Sequence, residues 1–214
     1  DLDFSRTWLY NRTFIIDQAL VFLPKLLSEL SRVMKDDGVF VLNAGSAVRS
    51  ADNASFSALL PLIYGEYIVQ ESDFRLLRDF LMMQMENEKG VVLASEEEFE
   101  RGIASVHQHL LLFCKSDKPK ITIKHPIQSV WTYKASLPKG DQPTAFDAGI
   151  VSQFIELFTT EGDIVLDPLA GTGILGAIAT QMSRNSIMYE IDPKLVPVIR
   201  KNFSRLKTEC EFFS

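Results

Sequence analysis

The sequence predicts an α/β protein: a mostly parallel sheet with helices on both faces. Three observations predict it. In the last third, apolar stretches of strand length alternate with stretches of helical periodicity, which is the pattern of helices crossing over between parallel strands. Near the start, a helical run, an acidic-glycine stop and an apolar strand follow one another. Between strand and helix, at 163–176, lies the glycine turn "DIVLDPLAGTGILG".

The elements read in order as follows. From residue 20, Phe22, Leu23, Leu26, Leu27, Leu30, Val33 and Met34 recur at helical spacing until "KDDG" stops the helix. "VFVLN" (39–43) is then a buried strand, with Asn43 and Ser46 at its carboxyl end, where open α/β sheets bind ligands. Small and polar residues give way to "ALLPLIYGEY", and "SDFRLLRDFLMMQME" (72–86) reads as a capped amphipathic helix with Phe74, Leu77, Phe80 and Leu81 on one face. "SEEEFERG" (95–102) is acidic and solvated, "HLLLFCK" (109–115) is a strand, and "KSDKPKITIKHP" is a basic connector. "AFDAGIVSQFIELFTTEG" is a helix that turns Ile150, Val151, Phe154, Ile155 and Phe158 inward and stops at Gly162. "DIVLD", "GILGAIATQM" and "NSIMYEI" are strand, helix and strand. "DPKLVPVIRKNFSRL" closes as a helix with Asp192 as N-cap and Pro193 at its first position.

Composition bounds the rest. At 214 residues, 46% hydrophobic and 23% charged, the chain has the make-up of a globular protein and is read as a single domain, 1–214. No apolar run approaches the length needed to span a bilayer, so no membrane association is expected. Two cysteines, Cys114 and Cys210, are too few for a disulfide framework and suggest a reducing, cytoplasmic compartment. A formal charge of −6 argues against gripping nucleic acid over the whole surface but leaves room for a local basic face. The lysines at 115, 118, 120 and 124 and the cluster Arg200, Lys201, Arg205 and Lys207 are the candidates for phosphate contact; a solvated face is the plainer reading. His107 and His109 alternate on one strand face with His125 nearby, but nothing completes a zinc set, so no metal is expected.

Gly171, Gly173 and Gly176 spell G-x-G-x-x-G, and Glu190 follows the first glycine at the spacing of the dinucleotide fingerprint. The residues between strand and glycine argue differently. Asp167, Pro168, Leu169 and Ala170 intervene, and a carboxylate at the strand tip would face a pyrophosphate. S-adenosylmethionine carries an ammonium and a sulfonium. Asp167 would pair with the ammonium, the glycines would admit close backbone approach, and Glu190 would accept the ribose hydroxyls. Its carboxylate would use the positive end of the following helix. A nicotinamide or flavin dinucleotide, and a tight turn with no ligand, stay open on spacing alone. Only 38 residues follow Gly176, so the rest of the sheet is expected to come from before the motif, a permuted connectivity.

"VLDPLAGTG" resembles the cofactor motif, D-P-F-x-G-x-G, of DNA amino-methyltransferases, which modify the exocyclic amino group of adenine or cytosine. "FLPKLLSELSRVMKDDGVFVLNAGS" resembles the helix and strand that follow that family's catalytic tetrapeptide. "SVHQHLLLFCKSDKP" resembles its His-Glu-x-Leu strand, with Gln108 in place of Glu, and "SVWTY" its Val-Trp stretch. "QPTAFDAGIVSQFI" resembles the segment lining the cofactor pocket, with Gln142 and Asp147 departing from the pattern. Together these cover about residues 20 to 206.

The resemblance implies a circularly permuted Rossmann-like methyltransferase fold, with 142–206 as its cofactor half and about 47–108 as a target-recognition insertion. It implies DNA as substrate, S-adenosylmethionine as cofactor and a place in restriction–modification. Asp167, Pro168, Ala170, Gly171, Gly173 and Glu190 would hold the cofactor, with Pro143, Thr144 and Phe146 lining its pocket. Trp131 and Tyr133 would pack near the adenine or in the core. Cys114 reads as core. The family's (Asp/Ser/Asn)-Pro-Pro-aromatic tetrapeptide, whose aromatic stacks on the flipped base, is absent: none of the nine prolines are adjacent. No catalytic residue is therefore named. The start at Asp1 is expected to mean a fragment beginning after the catalytic strand, with residues 1–19 resembling the following loop. The alternatives are a split enzyme whose second chain supplies the motif, and a non-catalytic subunit that binds DNA or a partner.

Overall fold

The computed structural model describes residues 12–45, 47–51, 54–58, 60–85, 107–122, 127–134 and 148–212; side chains are described within these segments except at 12–20, 45, 47–58, 60, 84–85 and 133–134. The chain divides into two compact units. The first comprises Asp1–Glu86, Gly90–Lys120 and Gln128–Thr132, and the second Asn87–Lys89, Ile121–Ile127 and Tyr133–Ser214.

In the first unit, helix α1 (Arg12–Val33) starts earlier than its apolar spacing predicts, and part of the segment read as a loop is helical. Its buried stripe is Leu23, Leu27 and Leu30, three and four residues apart. Strand β1 (Phe40–Gly45) follows the acidic-glycine stop, as expected. β2 (Ala47–Ala51) and β3 (Ala54–Ala58) pair as a hairpin, and α2 (Leu60–Glu71) leads to β4 (Arg75–Met85).

β4 corrects the helix expected over 72–86. It pairs antiparallel with β5 (His107–Cys114), and its register slips between Leu76 and Arg78, leaving Leu77 as a bulge. The extra residue spaces Phe74, Leu77 and Phe80 by threes, which mimics a helical stripe. Beyond the bulge the strand period is plain: Phe80 and Met82 are buried and Met83 is exposed. Ser72, read as a helix cap, ends α2 instead, donating to the Ile68 carbonyl while accepting from the Phe74 amide.

The four-stranded sheet has the order β1-β5-β4-β6, with β6 at Val130–Lys134. β5 runs antiparallel to both neighbours, so this sheet departs from the expected parallel one. Leu110 to Cys114 are all buried, and such a run reports that both faces are covered without reporting direction. α2 lies against β5: a Cβ on Gly65 would sit 3.2 Å from Leu111 Cδ1, so glycine lets the helix approach the strand. Lys115, at the end of β5, donates to the carbonyls of Ser31 (2.9 Å) and Met34 (2.8 Å) and pairs with Asp36 at 3.0 Å. An ammonium there satisfies orphan carbonyls at the helix's negative end.

In the second unit, α3 (Ala148–Phe158) precedes β7 (Ile164–Asp167), α4 (Ile174–Gln181), β8 (Asn185–Met188) and α5 (Val196–Arg205). β7 and β8 are parallel, as predicted. Val151 and Ile155 of α3 pack on Ile174, Ile178 and Ala179 of α4, and Ala177 packs on Ile199 and Phe203 of α5. Gly162 has φ 81°, the left-handed stop expected after α3. Asp192 accepts from the Lys194 amide at 2.9 Å and caps a 3-10 turn, Pro193–Leu195; α5 itself begins at Val196 with Leu195 as its N-cap, three residues later than the sequence predicts. Among the described residues, parallel and antiparallel pairs coexist, so the architecture is α/β with mixed sheet pairing. No described helix is long and apolar enough to cross a membrane.

Ile68 on α2 is fully buried, whereas Leu62 on the same helix is 64% exposed. Truncating Ile68 to alanine is expected to cost about 2–5 kcal/mol in urea unfolding followed by circular dichroism, against roughly 0.5 kcal/mol or less for Leu62→Ala. Equal costs would contradict the packing of α2 on β5.

Candidate functional site

The second unit's glycine turn grows from the parallel pair. The Tyr189 amide donates to the Asp167 carbonyl, and the Ala170 amide donates to the Tyr189 carbonyl, both at 2.9 Å. These two bonds carry the strand pairing beyond β7 and β8 and bring Glu190 level with the turn. Glu190 then accepts from two backbone amides, Gly171 at 2.7 Å through Oε2 and Asp192 at 2.8 Å through Oε1. Bonds from a neutral amide to an ionised oxygen are among the stronger hydrogen bonds.

The three glycines do three different things. Gly171 has φ 52° and a Cβ built on it would meet nothing within 4 Å among the described residues, so its side of the turn is open to them. Gly173, at φ 69°, is the N-cap of α4, and a Cβ there would lie 2.9 Å from Ile199 Cγ2. A Cβ on Gly176 would fall 2.2 Å from Met188 Sδ, so α4 and β8 meet as closely as they do only because that side chain is missing. The second and third glycines therefore serve packing, and the first has no described neighbour on its Cβ side.

Asp167 ends β7 and accepts from the Leu169 amide at 3.1 Å. Pro168, between them, has no amide to offer. Burial pushes the Asp167 carboxyl above the ordinary carboxylate range, the Leu169 amide opposes the shift, and the negative Glu190 adds to it. Among the described residues neither acid forms an ion pair with a lysine, arginine or histidine. Two carboxylates without a counter-cation thus flank an open glycine turn. Such a site favours a cation or hydroxyl donors and repels a pyrophosphate.

Asp167, Pro168, Ala170, Gly171, Gly173 and Glu190 come together in this turn. Pro143, Thr144 and Phe146, with Gln142 and Asp147, lie outside the described residues. Sequence reasoning missed Asn202, whose side-chain amide donates to the Thr172 carbonyl at 2.9 Å and pins the loop to α5. Its signal was an amide on the inner face of a helix, between buried Ile199 and Phe203. It also missed Leu169, Tyr189 and Ile191, large apolar residues 63% to 76% exposed beside the turn.

The other candidates fall elsewhere. Trp131 is core in the first unit, its ring 5.3 Å from Phe80 and its Nε1–H on the Gln128 carbonyl. The Tyr133 side chain, Lys124 and His125 lie outside the described side chains. Lys115 is engaged at the end of α1, as above, and Arg200 stacks on Phe212 at 4.2 Å. His107 and His109 share a face, rings 5.4 Å apart, and His109 Nδ1 meets Asp79 at 3.1 Å, an ordinary hydrogen-bonded histidine. Among the described residues no cluster of potential metal ligands occurs. Cys114 is buried with its thiol on the Asp36 carbonyl.

Residues 5–201 match the model of a family described as DNA methylase. The type II methyltransferase M.MwoI of Methanothermobacter wolfeii is 28% identical over 181 residues, 81% of this chain and 24% of that protein. The chain thus spans about a quarter of the length of that curated relative. Among solved structures, the cytosine-N4-specific PvuII DNA methyltransferase superposes with a TM-score of 0.70 at 19% identity, covering 91% of this chain and 77% of that one. M1.HpyAVI in complex with S-adenosylmethionine superposes with a TM-score of 0.65 at 17% identity, covering 86% and 83%. At these identities the likeness shows the fold, the Rossmann-like α/β fold of DNA methyltransferase structures.

The raised Asp167 carboxyl sets a pH dependence. A folded-state value above the unfolded one stabilises below the unfolded value, and that stabilisation is lost as pH rises through the folded value. Asp167→Asn keeps an acceptor for the Leu169 amide and removes the buried charge. The ligand-free variant is therefore expected to melt above the wild type at pH 7, the gap closing as pH falls through the carboxylate range, by scanning fluorimetry. A wild type that is the more stable of the two at pH 7 would contradict it.

Proposed function

The chain belongs to the DNA methylase family, and on that footing we propose that it forms most of the catalytic domain of a site-specific DNA amino-methyltransferase that uses S-adenosylmethionine. The observation that carries this reading is the pair of carboxylates, Asp167 and Glu190, without a cation among the described residues at the open side of Gly171. These residues fit the donor. When bound, S-adenosylmethionine supplies an electrophilic methyl group carried on a sulfonium. Asp167 binds the cofactor's ammonium. Glu190 spends one lone pair of each oxygen on a backbone amide and keeps others for ribose hydroxyls. Leu169, Tyr189 and Ile191 offer apolar surface to the adenine ring. In this reading Pro143, Thr144 and Phe146 complete the pocket.

We read the two units as parts of one permuted domain, with 142–206 as the cofactor half and 47–108 contributing target recognition. The family model, which runs through both units, supports this. The Pro-Pro-aromatic tetrapeptide lies, in this reading, outside these 214 residues, in polypeptide preceding Asp1 or in a second chain, since no two of the nine prolines are adjacent. A cytoplasmic place in restriction–modification fits the type II relatives. The same missing tetrapeptide is what favours the second reading, a non-catalytic subunit that binds DNA or a partner.

Isothermal titration with S-adenosylhomocysteine tests the cofactor site. The wild type is expected to bind, and Asp167→Ala and Glu190→Ala each to weaken binding by roughly ten- to a hundredfold, the loss of a charge-assisted contact. A folded wild type that ignores S-adenosylhomocysteine but is stabilised by NAD would replace this function with a dinucleotide one.

A further inference from the structure

His107 and His109 alternate along β5 and so share one face of the strand, the face that α2 covers further on at Leu111. Their ring centres are 5.4 Å apart and the rings are inclined by 66°. His109 Nδ1 lies 3.1 Å from both oxygens of Asp79. In the neutral ring that carboxylate holds the proton on Nδ1, which leaves the Nε2 lone pair free for a ligand bond. Among the described residues neither this Nε2 nor the His107 ring makes a hydrogen bond. Across the sheet, β4 sets Met83 opposite His107 and Leu81 opposite His109. Residues so paired stand on the same face with Cβ atoms about 4.5–5.5 Å apart. Met83 and His107 are both exposed.

We propose that His107, His109 and Met83 form a copper(I) site, with Asp79 as the positioning residue for His109. The sequence offers two alternating imidazoles and nothing near them to complete a zinc set. Among the described residues no three histidines, cysteines or carboxylates cluster as ligands either. The register of β4 supplies the missing ligand, and it is a thioether. A metal about 2.0 Å from an imidazole nitrogen lies roughly 3.2 Å from the ring centre, so centres 5.4 Å apart open an angle of about 115° at the ion. That angle suits a trigonal set of two nitrogens and a sulfur. The thioether decides which ion fits. Soft sulfur selects copper(I), imidazole serves copper and zinc alike, and magnesium or calcium require oxygen ligands. His109 is held in advance by Asp79, while the exposed His107 and Met83 side chains turn to meet the ion.

This site is independent of the cofactor reading above, and its failure would leave that reading untouched. Competition between the intact encoded polypeptide and a chromophoric copper(I) chelator, under ascorbate and without oxygen, measures the affinity. The wild type is expected to take up a single copper(I) ion. His107→Ala, His109→Ala and Met83→Leu should each weaken it at least tenfold, and Asp79→Asn about tenfold, with the metal-free melting temperatures unchanged. Met83→Leu should leave zinc(II) affinity where it was, because the imidazoles alone serve that ion. X-ray absorption of the copper-loaded wild type, which needs no variant to fold, should show nitrogen and sulfur scatterers together. A spectrum with nitrogen alone would overturn the proposal. So would copper that survives His107→Ala but is lost on Cys210→Ser or Cys114→Ser, since a thiol would then be the ligand. An Asp79→Asn variant that binds as the wild type does would overturn the positioning role.

Discussion

Glu190 is the constraint on which the candidate site depends. One carboxylate holds the amide of Gly171 and the amide of Asp192, and so fastens the turn after β7 to the turn after β8. The arrangement places a negative charge beside a second one. The pressure shows on Asp167, which burial and Glu190 together push toward its protonated form. A ligand that brings a positive charge relieves both acids.

The turn is braced from behind by steric limits rather than by charge. Met188 occupies the volume a Gly176 side chain would need, Ile199 the volume beside Gly173, and Asn202 holds the Thr172 carbonyl. α4, β8 and α5 are therefore set by contacts that admit little change in volume. Among the described residues the Cβ side of Gly171 has no such neighbour. Rigidity behind and space in front are what a loop needs to present backbone groups reproducibly.

Much of this was legible in the sequence, for physical reasons that differ by element. Gly162, Asp192 and Pro193 act locally, through φ and through a side chain two residues from its partner, so spacing alone finds them. The glycines at 171, 173 and 176 were legible as a group, but only the packing of Ile199 and Met188 separates the structural pair from the open one. β4 was read as a helix because the bulge at Leu77 turns alternation into a three-residue spacing. The direction of β5 was hidden since an apolar run buried on both faces looks the same either way. Asn202 was missed because its partner lies 30 residues away, and tertiary bonds of that kind leave no periodic trace.

The Lys115 clamp has a consequence for how the first unit can diversify. Its ammonium reaches the Ser31 carbonyl across 84 residues of sequence, so the hairpin, α2 and β4 all lie inside one closed loop. The entropy of closing a flexible loop grows only logarithmically, by about 0.6 kcal/mol for each doubling of length. The connections between elements inside the loop can therefore be lengthened while the packed elements and the anchoring ends stay put. Evolution could retune what this lobe touches with little penalty to the scaffold that holds it.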